Sequence, residues 1–308
     1  MNLRHPATSG AFEPLTKESV EVHRGVVLAA LEEDAAANDV TTHSTIGSDA
    51  EAEAVLVFRS RGVLAGLQVA ALAMRLVDSR VVANQTVADG SAVEGGAAVA
   101  RLSGPARAML SAERVALNFL GRLSGIATAT RAYVDAVAGI PVRVCDTRKT
   151  TPGLRALERY AVRAGGGCNH RFDLSAAVLV KDNHIAAVGS VAEAVRRARA
   201  GSPAGTIVEL ECESVDAVRD AIAAGADAVL LDNMDLATMR AAVAVVKGRA
   251  VIEASGGVRL ETIRAIAETG VEIISVGVLT HGAVWSDVAL DFLPRPDERA
   301  SAVNLHRS

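Results

Sequence analysis

The sequence predicts an α+β module followed by a βα repeat that curls into a parallel barrel. Three observations carry this. Six short strands rich in β-branched residues recur between positions 142 and 276 with helical segments between them, and such short units require parallel strands joined by right-handed crossovers. Polar residues stand at the end of strand after strand: Asp146 with Arg148, then Lys181, Glu211, Asp232, Ser255 and Gly277. In a barrel those ends converge on one mouth, where active sites lie. No G-x-G-x-x-G follows the first of these strands, which weighs against a doubly wound nucleotide fold.

Upstream of the repeat, residues 18–37 place Val22, Val26, Val27 and Leu31 at helical spacing. The runs AEAVLVF (52–58), GVLAG (62–66) and VVANQTV (81–87) read as strands, with a turn at Ala88-Asp89-Gly90. A long helical region follows over 108–138, interrupted near Gly121 and Gly125 and stopped by Gly139-Ile140-Pro141. The repeat itself comprises VRVCD (142–146), AVLVK (177–181), TIVELE (206–211), DAVLLD (227–232), AVIEAS (250–255) and VEIISV (271–276).

With 308 residues, half of them hydrophobic, the chain can bury a large core in one large or two ordinary domains. Lys and Arg total 32 against 36 Asp and Glu, a net charge of -4, so the whole chain carries no nucleic-acid footprint. Neither a long apolar run nor an apolar h-region in residues 1–20 is present, so no membrane span is expected and the cytoplasm is the expected location. Cys145, Cys168 and Cys212 are far apart and lack CxxC spacing, which argues against a disulfide framework or structural zinc.

Against this mildly acidic background, residues 144–171 gather Arg148, Lys149, Arg155, Arg159, Arg163, His170 and Arg171 around only two acids, Asp146 and Glu158. Arg155, Arg159 and Arg163 recur every four residues and read as a solvated helix face. Thr147-Arg148-Lys149 and His170-Arg171 fall outside that period and suit a small, strongly anionic ligand. In TIVELE, alternation turns Ile207, Glu209 and Glu211 to one side. Two inward carboxylates are costly without a compensating cation, and Glu209 can also be a salt-bridged core residue. Glu211 and Asp232 offer the oxygen ligands that suit Mg²⁺ shared with substrate phosphates. Ser255-Gly256-Gly257 precedes a helix expected to begin near Arg259, and Gly277 takes the same place after the next strand. Glycines there admit backbone N–H groups to an anion, in the loops that usually hold phosphate in barrels.

The strings DTRKTTPGLR (146–155), GGGCNHR (165–171), KDNHI (181–185), LLDNM (230–234), EASGG (253–257) and SVGVLTH (275–281), with SAERVALNFLGRLSGIAT (111–128) and NDVTT (38–42), resemble the quinolinate phosphoribosyltransferase family. The resemblance spans nearly the whole chain in order. It implies an α/β fold: an N-terminal α/β sandwich domain over 1–125, with the tail 290–308 a candidate to pack on it, and an open TIM-like α/β barrel of about seven strands over 126–289. It further implies conversion of quinolinate and phosphoribosyl pyrophosphate to nicotinate mononucleotide, pyrophosphate and CO2 with Mg²⁺, in NAD biosynthesis.

Carried onto this sequence, the family pattern puts Arg148, His170, Arg171 and Lys181 on the quinolinate carboxylates, joined by Arg114 from the partner in a homodimer. Lys149, with Thr147 beside it, falls on the pyrophosphate, and Glu211 and Asp232 on the ribose and metal. Ser255, Gly256, Gly257 and the Val276-Gly277-Val278 turn fall on the 5′-phosphate. Four positions depart from the pattern: Asn38 for Gly, Ala176 for Asp, Val278 for Ala and Gly282 for Ser. A phosphoribosyltransferase-like paralogue associated with molybdenum transport would lack KDNHI and the Arg114 segment. A non-catalytic sensor would not need Glu211 and Asp232.

Overall fold

The structure, a computed structural model, describes residues 12–294, so the expected packing of 295–308 lies outside the described residues. The described residues divide into two compact units: Phe12–Thr128 with Val284–Pro294, and Ala129–Ala283. The division falls within one helix and ahead of the last strand, a few residues from the 125/126 and 289/290 boundaries drawn from sequence.

The first unit opens with a 3-10 turn, Ser19–His23, and α1 (Arg24–Glu33). A second 3-10 turn, Ala36–Asn38, follows Ala35 in the left-handed region. Asp39 then starts α2 (Val40–Thr45) by accepting the Thr42 N–H at 2.9 Å, the usual work of an N-cap carboxylate. Strand β1 (Glu51–Phe58) is followed by β2 (Gly62–Val63), α3 (Leu67–Val77), β3 (Val82–Gln85), β4 (Ala92–Val93) and β5 (Ala98–Pro105). Asp89, in the expected turn, is buried and accepts the Gly66 N–H at 2.7 Å at the start of α3.

Helix α4 runs unbroken from Ala106 to Ala136, which corrects the expected interruption near Gly121 and Gly125. Those glycines serve a close approach instead. A Cβ on Gly125 would stand 2.2 Å from the Val284 carbonyl oxygen, and one on Gly121 2.9 Å from that of Ser286. The returning segment lies flush on the helix because both positions lack side chains.

The second unit holds β6 (Arg143–Cys145), α5 (Arg155–Ala164), β7 (Val178–Val180), α6 (Asp182–Val188), α7 (Val191–Gly201), β8 (Val208–Cys212), α8 (Val215–Ala223), β9 (Ala228–Asp232), α9 (Leu236–Val246), β10 (Val251–Ser255), α10 (Ile263–Ala267), β11 (Ile273–Ser275) and α11 (Val278–His281). All six strands expected from sequence form one parallel sheet in the order β6-β11-β10-β9-β8-β7. In place of a seventh strand, Cys168 makes an isolated parallel bridge to Cys145. Ser190, Ser214 and Asp235 cap α7, α8 and α9 with their side-chain oxygens. These three βα units thus restart their helices with their own local signals. The three cysteines are free and buried.

The last strand, β12 (Val288–Phe292), belongs to the first unit, whose antiparallel sheet has the order β12-β1-β5-β3. Phe58, Leu56 and Leu102 of that sheet are fully buried, as are Met74 of α3 and Leu120 of α4.

Candidate active site

Parallel register brings the ends of the barrel strands into a row. Glu211 pairs with Leu230, Ser255 with Asp232, and Ser275 with Cys145. Reading across the sheet from β11 to β7, the mouth carries Gly277, Ser255, Asp232, Glu211 and Lys181. A cavity of about 740 Å³ lies there, within the range of small-molecule sites.

Thr147, Arg148, Lys149, His170, Arg171, Lys181, Glu211, Asp232, Ser255, Gly256, Gly257, Gly277 and Val278 all line it. Val276 is buried, with its N–H on the Cys145 carbonyl at 2.9 Å, and does not line the cavity. Arg114 belongs to the other unit, where it is exposed on α4 between buried Ala112 and Val115.

The basic segment is held from within. Asp146, fully buried, accepts the His170 N–H at 2.8 Å, the Asn169 side-chain amide at 2.5 Å and the Arg159 guanidinium at 3.3 Å. Burial pushes its carboxyl up to about 6, against the opposing pull of Arg159. Arg159 also donates to the carbonyls of His170 at 2.7 Å and Arg171 at 3.3 Å, and its guanidinium lies 5.3 Å from the Phe172 ring centroid. Arg155 reaches Thr150 at 3.1 Å and the Phe172 carbonyl at 3.2 Å. The expectation that Arg155, Arg159 and Arg163 form a solvated face is therefore corrected. Arg159 is buried and the other two are half-buried, because the loops flanking α5 present carbonyls and a carboxylate that water does not reach.

Glu158 is buried as well and anchors the start of the helix loop by accepting from the Thr151 hydroxyl at 2.8 Å and the Thr151 N–H at 3.1 Å. Thr280 donates to the Lys149 carbonyl at 2.7 Å, which ties the basic loop after β6 to α11.

Farther along the strand ends, Lys181 Nζ is ion-paired with Glu211 Oε2, and Asn233 Nδ2 donates to Asp232 Oδ2 at 2.8 Å. Two carboxylates lining one cavity, each held by a single neighbouring donor, leave oxygens for a hard divalent cation that keeps part of its water shell. Gly256 and Gly257 have φ of 90° and 57°. A Cβ on Gly256 would meet Asn233 Oδ1 at 2.3 Å, so the loop folds onto Asn233, itself left-handed at φ 52°. The helix expected near Arg259 begins only at Ile263, and α10 and α11 have five and four residues. This part of the cavity is therefore lined by loop backbone rather than by the end of a long helix.

Deeper in the wall, His170 Nε2 lies 3.5 Å from Glu209 Oε2 and 3.2 Å from Glu253 Oε2. Burial alone would lower the basicity of His170, but the carboxylates of Glu253 and Glu209 outweigh it and push the pKa up to about 10. Glu209 is the inward core carboxylate that strand alternation indicates. Glu253 is a lining residue that sequence reading missed. The signal was present, since Glu253 and Ser255 alternate on β10 as Glu209 and Glu211 do on β8. Asn233, Arg259, Ser275 and His281 also line the cavity unanticipated.

The family models for the quinolinate phosphoribosyl transferase N-terminal and C-terminal domains match residues 39–124 and 126–291. A probable carboxylating nicotinate-nucleotide pyrophosphorylase of Bacillus subtilis is 44% identical over 84% of this chain and 89% of its own length. The nicotinate-nucleotide pyrophosphorylase of Mycobacterium leprae is 41% identical over 87% of this chain and 96% of its own. The crystal structure of NadC from Streptococcus pyogenes superposes with a TM-score of 0.86 at 42% identity, covering 92% of this chain and all of that one. Both halves of the chain and the order of its motifs agree with these relatives: it belongs to the quinolinate phosphoribosyltransferase family.

Proposed function

We propose that the barrel mouth transfers a phosphoribosyl group from phosphoribosyl pyrophosphate to quinolinate with loss of CO2, giving nicotinate mononucleotide and pyrophosphate for NAD biosynthesis. One observation carries this reading: a single cavity joins a cationic wall of Arg148, Arg171 and Lys181 to the Ser255–Gly257 and Gly277 loops, with Glu211 and Asp232 between them in sheet order. Arg forks and Lys181 suit a pyridine dicarboxylate, and the glycine loops suit a 5′-phosphate. The carboxylates would face the ribose.

The pyridine nitrogen of quinolinate is already an unprotonated nucleophile, so attack on the ribose C1 needs no general base. As the bond from C1 to the pyrophosphate oxygen breaks, its electron pair leaves with pyrophosphate, and Lys149 neutralises part of that charge. Glu211 and Asp232 stabilise the positive charge that grows on the ribose, by position rather than by proton transfer. They would also hold Mg²⁺, which when bound shields the pyrophosphate. When CO2 departs, its bonding electron pair stays on C2, stabilised by the adjacent positive pyridinium nitrogen, and that pair takes up a proton.

Arg114 is proposed to complete the dicarboxylate site of a partner subunit, making a homodimer the active unit. Among the described residues no helix is long and apolar enough to cross a membrane. A cytoplasmic enzyme acting on two small anions fits that finding.

The test is discrimination against nicotinate, which lacks the 2-carboxylate. Cations built around two carboxylates are left partly unpaired by the monoacid, at a cost of a few kcal/mol. Turnover of nicotinate is expected to be at least about a hundredfold below that of quinolinate. Comparable turnover of the two would reject the dicarboxylate reading.

A further inference from the structure

Two thiols that the mechanism above does not use meet inside the second unit. Cys145 ends β6, and the chain beyond α5 returns to lie beside it at Cys168 as an isolated parallel bridge. Main-chain bonds fix that register. The Cys168 N–H donates to the Val144 carbonyl at 2.8 Å, and the Asp146 N–H donates to the Cys168 carbonyl at 3.1 Å. Residues paired in register share a face, so both side chains leave the chain on the same side. They pack in one buried cluster with Ala228, Val251 and Ile273. There the Cys145 S–H donates to the Cys168 sulfur.

This contact makes the two thiols unequal. The Cys145 S–H, aided by the Arg143 guanidinium, favours the Cys168 thiolate and holds its pKa below the ordinary thiol value, against the opposing effect of burial. The same bond, with burial, drives Cys145 the other way. Cys168 is also the one that solvent touches, at 8% exposed against 0% for Cys145. A thiolate-prone cysteine with some access, beside a resolving thiol, is the arrangement that peroxides oxidise selectively. Neighbouring strands lie about 4.8 Å apart, within the roughly 4.4–6.8 Å between Cα atoms that a disulfide spans. Cys212 is the contrast. Burial pushes its thiol up to about 12, and its S–H donates to the Leu210 carbonyl at 3.7 Å rather than to another sulfur.

We propose that Cys145 and Cys168 are an oxidation site, at which a small hydroperoxide closes a disulfide beneath the basic segment. The Cys168 thiolate attacks one peroxide oxygen. The O–O bond breaks, the departing oxygen takes up a proton and leaves as alcohol or water, and Cys168 becomes a sulfenic acid. The Cys145 sulfur then attacks the Cys168 sulfur, and hydroxide leaves with the Cys145 proton as water. Two thiols and one hydroperoxide thus give one disulfide, one alcohol or water, and one further water, and the two electrons lost by sulfur go to the peroxide. The bond is felt above it, because Asp146 follows Cys145 and Asn169 follows Cys168. The Asp146 carboxylate accepts the Asn169 amide at 2.5 Å and the His170 N–H at 2.8 Å. Arg148 and Arg171, each three residues past its cysteine, line the cavity. Drawing the sulfurs from contact into a bond shifts both supports of that cationic wall.

Peptide mapping of folded, reduced protein treated with hydrogen peroxide tests this. The expected product is one cross-linked pair of peptides, Cys145 to Cys168, lighter by two hydrogens, with Cys212 still a thiol. The main-chain amide signals of Asp146 and His170 in ¹H–¹⁵N spectra should move as the bond forms. Oxidation should also lower kcat/KM for quinolinate by about tenfold or more, within the hundredfold that a misplacement of about 1 Å can cost. That readout alone rests on the dicarboxylate reading above. Cys168→Ser should keep its activity and be indifferent to peroxide, and Cys145→Ala supplies the same control should Cys168→Ser fail to fold. Oxidation of Cys168 to sulfinic acid without the cross-link would overturn the proposal, as would a disulfide that leaves the Asp146 and His170 amides unmoved. An oxidised protein as active as the reduced one would overturn it too. The cross-link and the amide signals are read without turnover, so a protein that makes no nicotinate mononucleotide would reject the functional reading and leave this one standing.

Discussion

The main-chain N–H of His170 donates to Asp146 Oδ1 at 2.8 Å, across a stretch of chain that bends back on itself beneath the site. Asp146 directly follows the first barrel strand, and His170 lies at the far end of the basic segment. One buried carboxylate therefore organises both ends of that segment. The concentration of positive charge in 144–171 thus has two causes: part of it faces the cavity, and part, centred on Arg159, is spent inside the protein on Asp146 and on the carbonyls of His170 and Arg171.

Replacing Arg159 by Met should destabilise the fold by roughly 3–5 kcal/mol, the usual cost of leaving one partner of a buried pair uncompensated. Chemical denaturation would measure it. The same variant should move the Asp146 titration above about 6, because the guanidinium is what holds it down to that value. In the wild-type protein the folded pKa of Asp146 stands above the ordinary 3.8. Its contribution to stability is then fully present below about 4 and is lost as pH rises through about 6. A carbon-13 carboxyl titration with a midpoint at the ordinary value would contradict this.

Two departures from the family pattern prove to be one contact. A Cβ on Gly282 would stand 2.5 Å from Val278 Cγ2, so the larger residue at 278 requires the smaller one at 282. The backbone of Gly282, at φ -121°, would accept any residue. Gly282→Ser alone should therefore cost about 1–3 kcal/mol through overpacking. Adding Val278→Ala should restore most of it, with a coupling energy of about 1 kcal/mol or more in thermal unfolding. Additive effects would show that the two positions are independent. Asn38 needs no such partner, since it does not adopt the left-handed backbone that would favour glycine.

Lys149 and Glu211 stand at different places in the cavity and should fail differently. Lys149→Ala is expected to raise the KM for phosphoribosyl pyrophosphate. Glu211→Ala is expected to lower kcat more than it weakens quinolinate, because its carboxylate acts on charge that develops only in the transition state. Steady-state kinetics with each substrate varied would check this, and unchanged constants in either variant would remove that residue from the site.

If Arg114 serves a partner's site, Arg114→Ala and Lys181→Ala should each be nearly inactive and should complement on mixing. A mixed dimer carries one intact site, so full subunit exchange should restore about a quarter of wild-type activity. Inactivity after verified exchange would place Arg114 outside any shared site.

Much of this architecture was legible in the sequence. The six barrel strands were, because each is a short β-branched run, and the lining residues Lys181, Glu211, Asp232, Ser255 and Gly277 followed from their ends. The first unit was harder to read. Helix α3 buries Leu67 and every residue from Val69 to Met74, a short continuous apolar run that periodicity alone does not separate from a buried strand. Strand β5 carries Arg101, Gly104 and Pro105, which disguise it. Gly121 and Gly125 looked like breaks, since close approach by a distant segment leaves no local mark. Likewise, the spacing of Arg155, Arg159 and Arg163 gives the helix face but not what covers it.

The most direct measurement follows carbon and phosphate together. Purified protein is incubated with quinolinate labelled in its 2-carboxylate, phosphoribosyl pyrophosphate and Mg²⁺, and labelled CO2, pyrophosphate and nicotinate mononucleotide are counted. The expected result is equal amounts of the three, abolished in Lys181→Ala. Folded wild-type protein, with its subunits assembled, that yields none of them would contradict the assignment of this barrel mouth to phosphoribosyl transfer.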